Sequence, residues 1–335
     1  MILIDFVYIN SPGGITLSRE ILNYLVCNKL ENSFELLLDK RNWNLLKVEG
    51  LNISVIKKNE ISRWAFYKKN SRKYKSIFCF ANVPPPLKIS KKTFIFFHNE
   101  LLLDHSNVDY PVFVRLVLSL KKLYIKNRNN SYNWIVQTEH IKSLLKDKFK
   151  IKENKINKHP IYSIKKQINL EINSNTFIFP SSNNPHKNND LLLNAFILAA
   201  NKTDQDLTLK ITIKKSDIKI NINRIPSNLK VDYLGIIDHD RLIQIYRTSK
   251  FLIFPSLRES FGLPLIEGIQ EGCVVLAPKL NYVEELISPS YTFDAYDVNS
   301  ISETILIAIK NKTHKLQFIK VNSEIDEIFK KLLNV

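Results

Sequence analysis

Short, nearly continuous apolar runs recur along the chain, and stretches of helical periodicity separate them. In the first half the runs are ILIDFVYI (2–9), FELLL (34–38), NISVI (52–56), SIFCFA (76–81), TFIFF (93–97) and WIVQT (134–138). Helical spacing of apolar residues marks 15–30, 111–125 and 140–149. Strands that are apolar on both faces and alternate with helices predict a parallel sheet covered on both sides. The rhythm pauses over the polar segment 150–175, which reads as a linker. It restarts with TFIFP (176–180), LTLKITI (207–213), VDYLG (231–235), FLIFP (251–255) and VVLA (274–277). Helices are expected through 190–200 and 239–249 and from Pro264 onward, and 299–335 reads as two more. The pattern predicts an α/β chain of two Rossmann-like doubly wound domains facing a ligand cleft. The expected division is 1–160 for the first domain, 161–175 for the linker and 176–310 for the second. A closing helical segment, 311–335, is expected to pack back on the first domain.

A chain of 335 residues, 44% hydrophobic and 10% aromatic, has material for two globular cores and is not a disordered chain. Lys, Asn and Ile are abundant throughout, so the net charge of +17 says little by itself. Its distribution says more. Residues 1–160 hold 28 Lys+Arg against 13 Asp+Glu, leaving 49−28=21 against 32−13=19 for the rest. The excess concentrates in KKLYIKNRNN (121–130) and KSLLKDKFKIKENKINK (142–158). Either the first half faces an anionic partner, or this is a solvated face in a Lys-rich composition. A lipid surface is the expected anionic partner, because no nucleic-acid-binding motif accompanies the charge.

Cys27, Cys79 and Cys273 lack metal-ligand spacing and have apolar neighbours, so they read as reduced core thiols of a cytosolic protein. The opening ILIDFVYI is too short for a signal peptide and carries Asp5. No run approaches the ~20 apolar residues of a membrane-spanning helix. The expectation is a cytoplasmic protein, attached at most to the inner face of the plasma membrane.

In open α/β sheets, ligands gather beyond the carboxyl ends of the strands. The first strand is followed by NSPGGI (10–15), where Gly13 and Gly14 let backbone approach a ligand and the next helix offers N–H groups to an anion. A plain tight turn explains the same glycines. His98 ends the fifth strand, where an imidazole can donate to a sugar hydroxyl or stabilise developing charge; a hydrogen-bonded core histidine is the alternative. PSSNNPHKNND (180–190) brings Lys187 just before a helix, in a position suited to a phosphate oxygen. Asn188 and Asn189 read as helix caps with no further role.

FPSLRESFGLPLIEGIQEGCVVLAP (254–278) carries the most chemistry. A buried strand runs into a polar loop, Pro264 restarts a helix, and Gly272 stops it. Glu259 falls in the loop and Glu267 is expected in the first helical turn. Carboxylates accept paired hydrogen bonds from vicinal diols. A helix-start carboxylate offsetting the macrodipole explains Glu267 alone, but leaves Glu259, Gly262 and the loop unexplained.

The run ESFGLPLIE (259–267), with seven residues between its glutamates, resembles the E-x7-E motif of family 4 (group 1) retaining glycosyltransferases of the GT-B architecture. The likeness extends over 231–287, and PHKNNDLLLNAF (185–196) is similar to the family's phosphate-lysine segment. CFANVPPP (79–86) and WIVQTEHIKSLL (134–145) resemble members that act in bacterial surface-polysaccharide synthesis. The resemblance implies that Glu267 holds the nucleotide ribose and Glu259 faces the donor sugar. Ser260, Phe261, Gly262 and Leu263 would contact sugar and diphosphate, Lys187 would neutralise the leaving diphosphate, and Gly13 and Gly14 would pack against it. His98 would lie near the sugar. An Arg commonly precedes the Lys in this family. Here Ser181, Ser182 and Asn183 stand in that neighbourhood, leaving Arg258 or His186 to compensate.

The implied reaction is retaining transfer of a hexose-type sugar from a nucleotide-sugar substrate to a glycan or lipid-diphosphate-linked acceptor, of the O-antigen or capsule kind. Lys187, backbone N–H groups and a helix terminus are expected to stabilise the departing diphosphate, so neither metal nor cofactor is expected. A nucleotide-sugar-binding protein without turnover and a nucleotide-sugar epimerase are the alternatives.

Overall fold

The computed structural model describes residues 1–89, 91–103, 112–127, 131–168, 172, 174–220 and 225–334. Pro111 of the expected helix, the end of the basic run at 128–130, and 169–171 and 173 of the expected linker lie outside them. The chain folds as two units, Met1–Ser163 with Asn322–Val335, and Ile164–Val321.

In the first unit the strands are β1 (Ile2–Asp5), β2 (Phe34–Asp39), β3 (Asn52–Ile56), β4 (Ser76–Cys79), β5 (Lys92–Phe96), β6 (Asn133–Val136) and β7 (Ile156–Lys158). The helices between them are α1 (Pro12–Cys27), α2 (Trp43–Leu46), α3 (Glu60–Asn70), α4 (Val112–Lys126) and α5 (Glu139–Phe149). All paired strands run parallel, in the order β3-β2-β1-β4-β5-β6-β7. Each residue of β1, β2 and β4 is buried, which is why these strands read as continuous apolar runs.

The second unit contains β8 (Thr176–Phe179), α6 (Asn189–Ala200), β9 (Leu207–Ile211), β10 (Leu229–Tyr233), α7 (His239–Arg247), β11 (Phe251–Ile253) and α8 (Leu263–Gln270). β12 (Val274–Pro278), α9 (Asn281–Leu286), β13 (Ile287–Ser288), β14 (Tyr291–Phe293), α10 (Val298–Lys310) and β15 (Phe318–Ile319) complete it. Its main sheet is parallel in the order β10-β9-β8-β11-β12-β14, while β13 and β15 form a small antiparallel pair. α11 (Ile325–Leu333) belongs to the first unit: Phe329 stacks on Tyr24 at 4.3 Å, and the Ser76 hydroxyl donates to the Leu332 carbonyl.

Numbered within its own unit, each main sheet begins 3-2-1-4-5. The strand order therefore reverses between β1 and β4 in one sheet and between β8 and β11 in the other. Chains leaving the carboxyl ends of such a pair diverge to opposite faces, and the crevice between them is where doubly wound sheets hold ligands.

Three expectations are corrected. The segment 150–175 is not all linker: β7 pairs with β6, and Ile156, Ile161 and Tyr162 are buried. An edge strand this short needs a single apolar anchor, so its flanks stay polar. α1 begins at Pro12, so Gly13 and Gly14 lie inside its first turn, with Ser11 capping it by accepting from the Gly14 N–H. Cys79 and Cys273 are buried but Cys27, the last residue of α1, is exposed.

Candidate functional site

β11 ends in a buried strand of Phe251, Leu252 and Ile253, and the chain must then turn back over the sheet edge. It does so through a loop that closes at Gly262. Here φ is +91°, a conformation costly for any residue with a Cβ, and Gly262 caps α8. Pro264 sits in the first turn of α8, where its missing N–H costs nothing. Gly268 lets the helix lie directly on β11: a Cβ there would come 2.4 Å from Leu252 Cδ2. The turn and the close packing together fix where Glu259 and Glu267 emerge.

Across the strand reversal, β8 leads to a short 3-10 turn, Pro185–Lys187, and then to Asn188 in the left-handed conformation (φ 62°). The two loops are laced together. The Leu257 N–H donates to the His186 carbonyl at 2.8 Å. The Ser256 hydroxyl donates to Glu259 Oε1 at 2.7 Å, and the Tyr282 hydroxyl donates to the Ser256 carbonyl at 2.7 Å. Lys187 Nζ meets Glu259 Oε1 at 2.5 Å, with side chains only 14% and 17% exposed, and lies 5.1 Å from the Phe254 ring centroid. This pair spans the loops on either side of the reversal, where water screens the charges little.

Glu267 is the fifth residue of α8, just past the first turn in which the sequence suggested it, because the helix already begins at Leu263. Its Oε1 is 2.8 Å from His239 Nε2, and its Oε2 accepts from the buried Tyr246 hydroxyl at 3.3 Å. The Glu267 hydrogen bond raises the His239 pKa above its ordinary value, and burial followed by the same carboxylate pushes the Tyr246 hydroxyl up. Sequence reasoning missed both partners. Their signal was the i, i+7 spacing of His239 and Tyr246 along α7, which puts both on one helical face.

Ser260 and Leu263 are half-buried, whereas the Phe261 side chain is buried at 4% exposure, so Phe261 can offer a ligand little beyond its backbone. Asn188 is not merely a cap: it makes no side-chain capping bond, and its amide donates instead to the Ala295 carbonyl at 2.7 Å. Asn189 bonds Ser181 and Ser182. Burial pushes the His186 imidazole down to about 4, so at neutral pH it adds no positive charge to make up for the absent Arg.

In the first unit, His98 stands past the end of β5. Asn82 holds it, accepting from the His98 backbone N–H at 2.6 Å and lying 3.4 Å from Nε2, and Phe80 and Phe96 flank its ring. Burial pushes this imidazole down to about 4, leaving it neutral. Beneath the β1/β4 reversal, Arg63 is buried with Asp5 at 2.9 Å and donates to the Val83 and Pro84 carbonyls, pinning the loop after β4. Over Gly13 a Cβ would meet nothing within 4 Å, while at Gly14 it would crowd Ser11 Oγ at 2.9 Å. Among the described residues, no three His, Cys, Asp or Glu side chains gather as a metal centre would need.

A stretch of 135 residues is 27% identical to the serotype-specific mannosyltransferase WbdA of Escherichia coli, covering 38% of this chain and 17% of that protein. Over 82 residues the chain is 28% identical to the O-antigen chain mannosyltransferase B of Escherichia coli, covering 24% of this chain and 22% of that protein. The chain thus spans less than a quarter of the length of these curated relatives. In three dimensions it is similar to a glycosyltransferase from Rickettsia africae ESF-5, with TM-score 0.65 at 15% identity, over 99% of this chain and 93% of that one. At that identity the likeness is one of fold, the paired Rossmann-like units of the GT-B architecture. Residues 161–324, which include Lys187, Glu259 and Glu267, match the family described as glycosyl transferases group 1. By this segment, just under half of its length, the chain is similar to the group 1 glycosyl transferases.

Proposed function

We propose that the chain is a retaining glycosyltransferase that moves a hexose-type sugar from a nucleotide-sugar donor to a growing, lipid-linked surface glycan. The observation that carries this reading is the Lys187–Glu259 pair at the β8/β11 strand reversal, with Glu267 on the helix that follows. The match of this segment to group 1 transferases supports it. The two relatives named as mannosyltransferases favour mannose as the first sugar to try and an O-antigen-type glycan as acceptor.

In this reading Glu267, held by His239 and Tyr246, accepts hydrogen bonds from the ribose diol. Glu259 accepts from the donor sugar. Lys187 exchanges its bond to Glu259 for the diphosphate, and backbone N–H groups of Ser260, Phe261, Gly262 and Leu263 share that charge without a metal. The bond from the anomeric carbon to the phosphate oxygen breaks and the bond to the acceptor oxygen forms on the same face. The acceptor's proton passes to the departing phosphate, so no enzyme carboxylate acts as nucleophile. In the first unit, neutral His98 donates one hydrogen bond to a sugar hydroxyl, and the first turn of α1 at Gly13 and Gly14 offers N–H groups to anionic oxygen. The chain works in the cytoplasm. NMR of the product tests the stereochemistry: a retained anomeric configuration is expected, and inversion rejects the mechanism.

A further inference from the structure

We propose that Asn82 fixes the tautomer of His98, so that this imidazole offers Nδ1–H, and not Nε2–H, to an oxygen of the substrate sugar. The proposal rests on the reading of His98 as a sugar contact and deepens it. Asn82 is then a positioning residue that acts through His98.

The chain fixes Asn82 before it fixes the histidine. Asn82 follows β4, is only 7% exposed and is left-handed (φ 65°), a conformation that asparagine tolerates better than most residues. Its N–H donates to the Phe96 carbonyl at 3.2 Å, which ties it to the end of β5. The residues after it are pinned in turn. Arg63 donates to the Val83 and Pro84 carbonyls, and the Tyr124 hydroxyl donates to the Pro85 carbonyl. Asp5 holds Arg63 from below and also accepts from the Tyr67 hydroxyl at 2.7 Å.

Two contacts then settle which atoms carry hydrogen. A backbone N–H can only donate, so the Asn82 atom that meets the His98 N–H at 2.6 Å is its carbonyl oxygen. The amide nitrogen is therefore the atom 3.4 Å from His98 Nε2. An amide NH2 can only donate, so Nε2 accepts and carries no proton. A proton on Nε2 would set donor against donor.

Burial alone pushes this ring down to about 4, so near neutrality it holds a single proton, and that proton is on Nδ1. Nδ1 is buried and makes no hydrogen bond among the described residues. Phe80 and Phe96, whose rings flank the imidazole, offer it no lone pair. A buried N–H without an acceptor is unfavourable and rare in native proteins. A sugar hydroxyl or ring oxygen is an acceptor of the right kind.

Long-range proton–nitrogen NMR spectra of the full chain, with no ligand added, read the tautomer directly. At neutral pH wild-type His98 should show a protonated Nδ1 and a bare Nε2, the reverse of the preference of a free histidine side chain. Asn82→Gly keeps the left-handed backbone but removes the amide, and the ratio of Nδ1–H to Nε2–H should fall roughly fivefold to tenfold, the worth of one hydrogen bond. Asn82→Asp keeps the shape but turns an acceptor toward Nε2, so Nε2–H should become the main form. Calorimetric titration with UDP-, GDP- and dTDP-sugars adds a second readout. His98→Asn places an amide nitrogen near the position of Nδ1, and His98→Gln places one near Nε2. His98→Asn should bind the donor roughly fivefold more tightly than His98→Gln. A wild type that carries Nε2–H, or an Asn82→Asp variant with the wild-type tautomer, overturns the proposal. Tighter binding by His98→Gln than by His98→Asn does so as well. The spectra need no donor, so they can fail while the transferase reading stands. Absence of any binding would end that reading, and the sugar contact with it, while the spectra still decide the tautomer.

Discussion

Lys187 and Glu259, 72 positions apart in sequence, form an ion pair that joins the loops after β8 and β11 across the strand reversal of the second sheet. In the proposed reaction the donor's diphosphate competes with Glu259 for the Lys187 ammonium. Lys187→Met removes the cation but keeps much of the stem. It should lower kcat by about a hundredfold or more, the scale seen when one stabiliser of developing charge is lost. Glu259→Gln should act mainly through kcat as well, because Ser256 can still hold the amide. Steady-state kinetics on both variants checks this, and unchanged kcat in Lys187→Met removes the lysine from the chemistry.

His239 gives a pH dependence with a definite sign. Its hydrogen bond to Glu267 raises its folded pKa, so its contribution to stability is complete below the unfolded value of about 6.5 and is lost as pH rises through the raised folded value. Lys165 opposes the shift and Asp240 reinforces it. Urea melts of wild type and His239→Gln across this range should differ most at the acid end and converge on the alkaline side. A gap that widens with pH would contradict the pairing.

His98 and His186 should behave in the opposite sense. Burial pushes both down to about 4, so the stability held by their neutral forms is present above the unfolded value of about 6.5 and drains away as pH falls toward about 4. His98→Gln should flatten part of the acid loss, and adding His186→Gln should flatten more. Imidazole NMR titration gives a direct reading: His239 should titrate above the ordinary value, and His98 and His186 well below it.

Gly268 tests the packing that holds α8 on β11. With a Cβ 2.4 Å from Leu252 Cδ2 and 3.3 Å from its Cβ, Gly268→Ala should destabilise the protein by ~1–3 kcal/mol through overpacking. Leu252→Ala in the same chain should recover part of that loss if the clash is the cause. A denaturant melt of the single and double variants decides.

The central strands were readable because β1, β2, β4 and β8 are buried on both faces, which writes them as apolar runs. α3 was not readable: its buried positions are Arg63 and Tyr67, so the inward face carries an ion pair where an apolar stripe would be looked for. β7 escaped because an edge strand with one buried residue looks like a linker. Within the site, Lys187 and Glu259 stood out by their places after strands and before helices, and Glu267 by its place early in the helix that follows. Their partners did not. His239 reaches Glu267 from 28 positions away, and Asn188 reaches Ala295 from 107, distances that no local pattern encodes.

Calorimetric titration of the full chain with UDP-, GDP- and dTDP-sugars tests the central claim most directly, beside Glu267→Ala and Lys187→Met. One donor class should bind wild type. Glu267→Ala should weaken it by roughly tenfold to a hundredfold, the worth of hydrogen bonds to a charged group, and Lys187→Met should weaken the free nucleoside diphosphate as well. Binding that is indifferent to both substitutions, or no binding of any nucleotide sugar, would contradict the account.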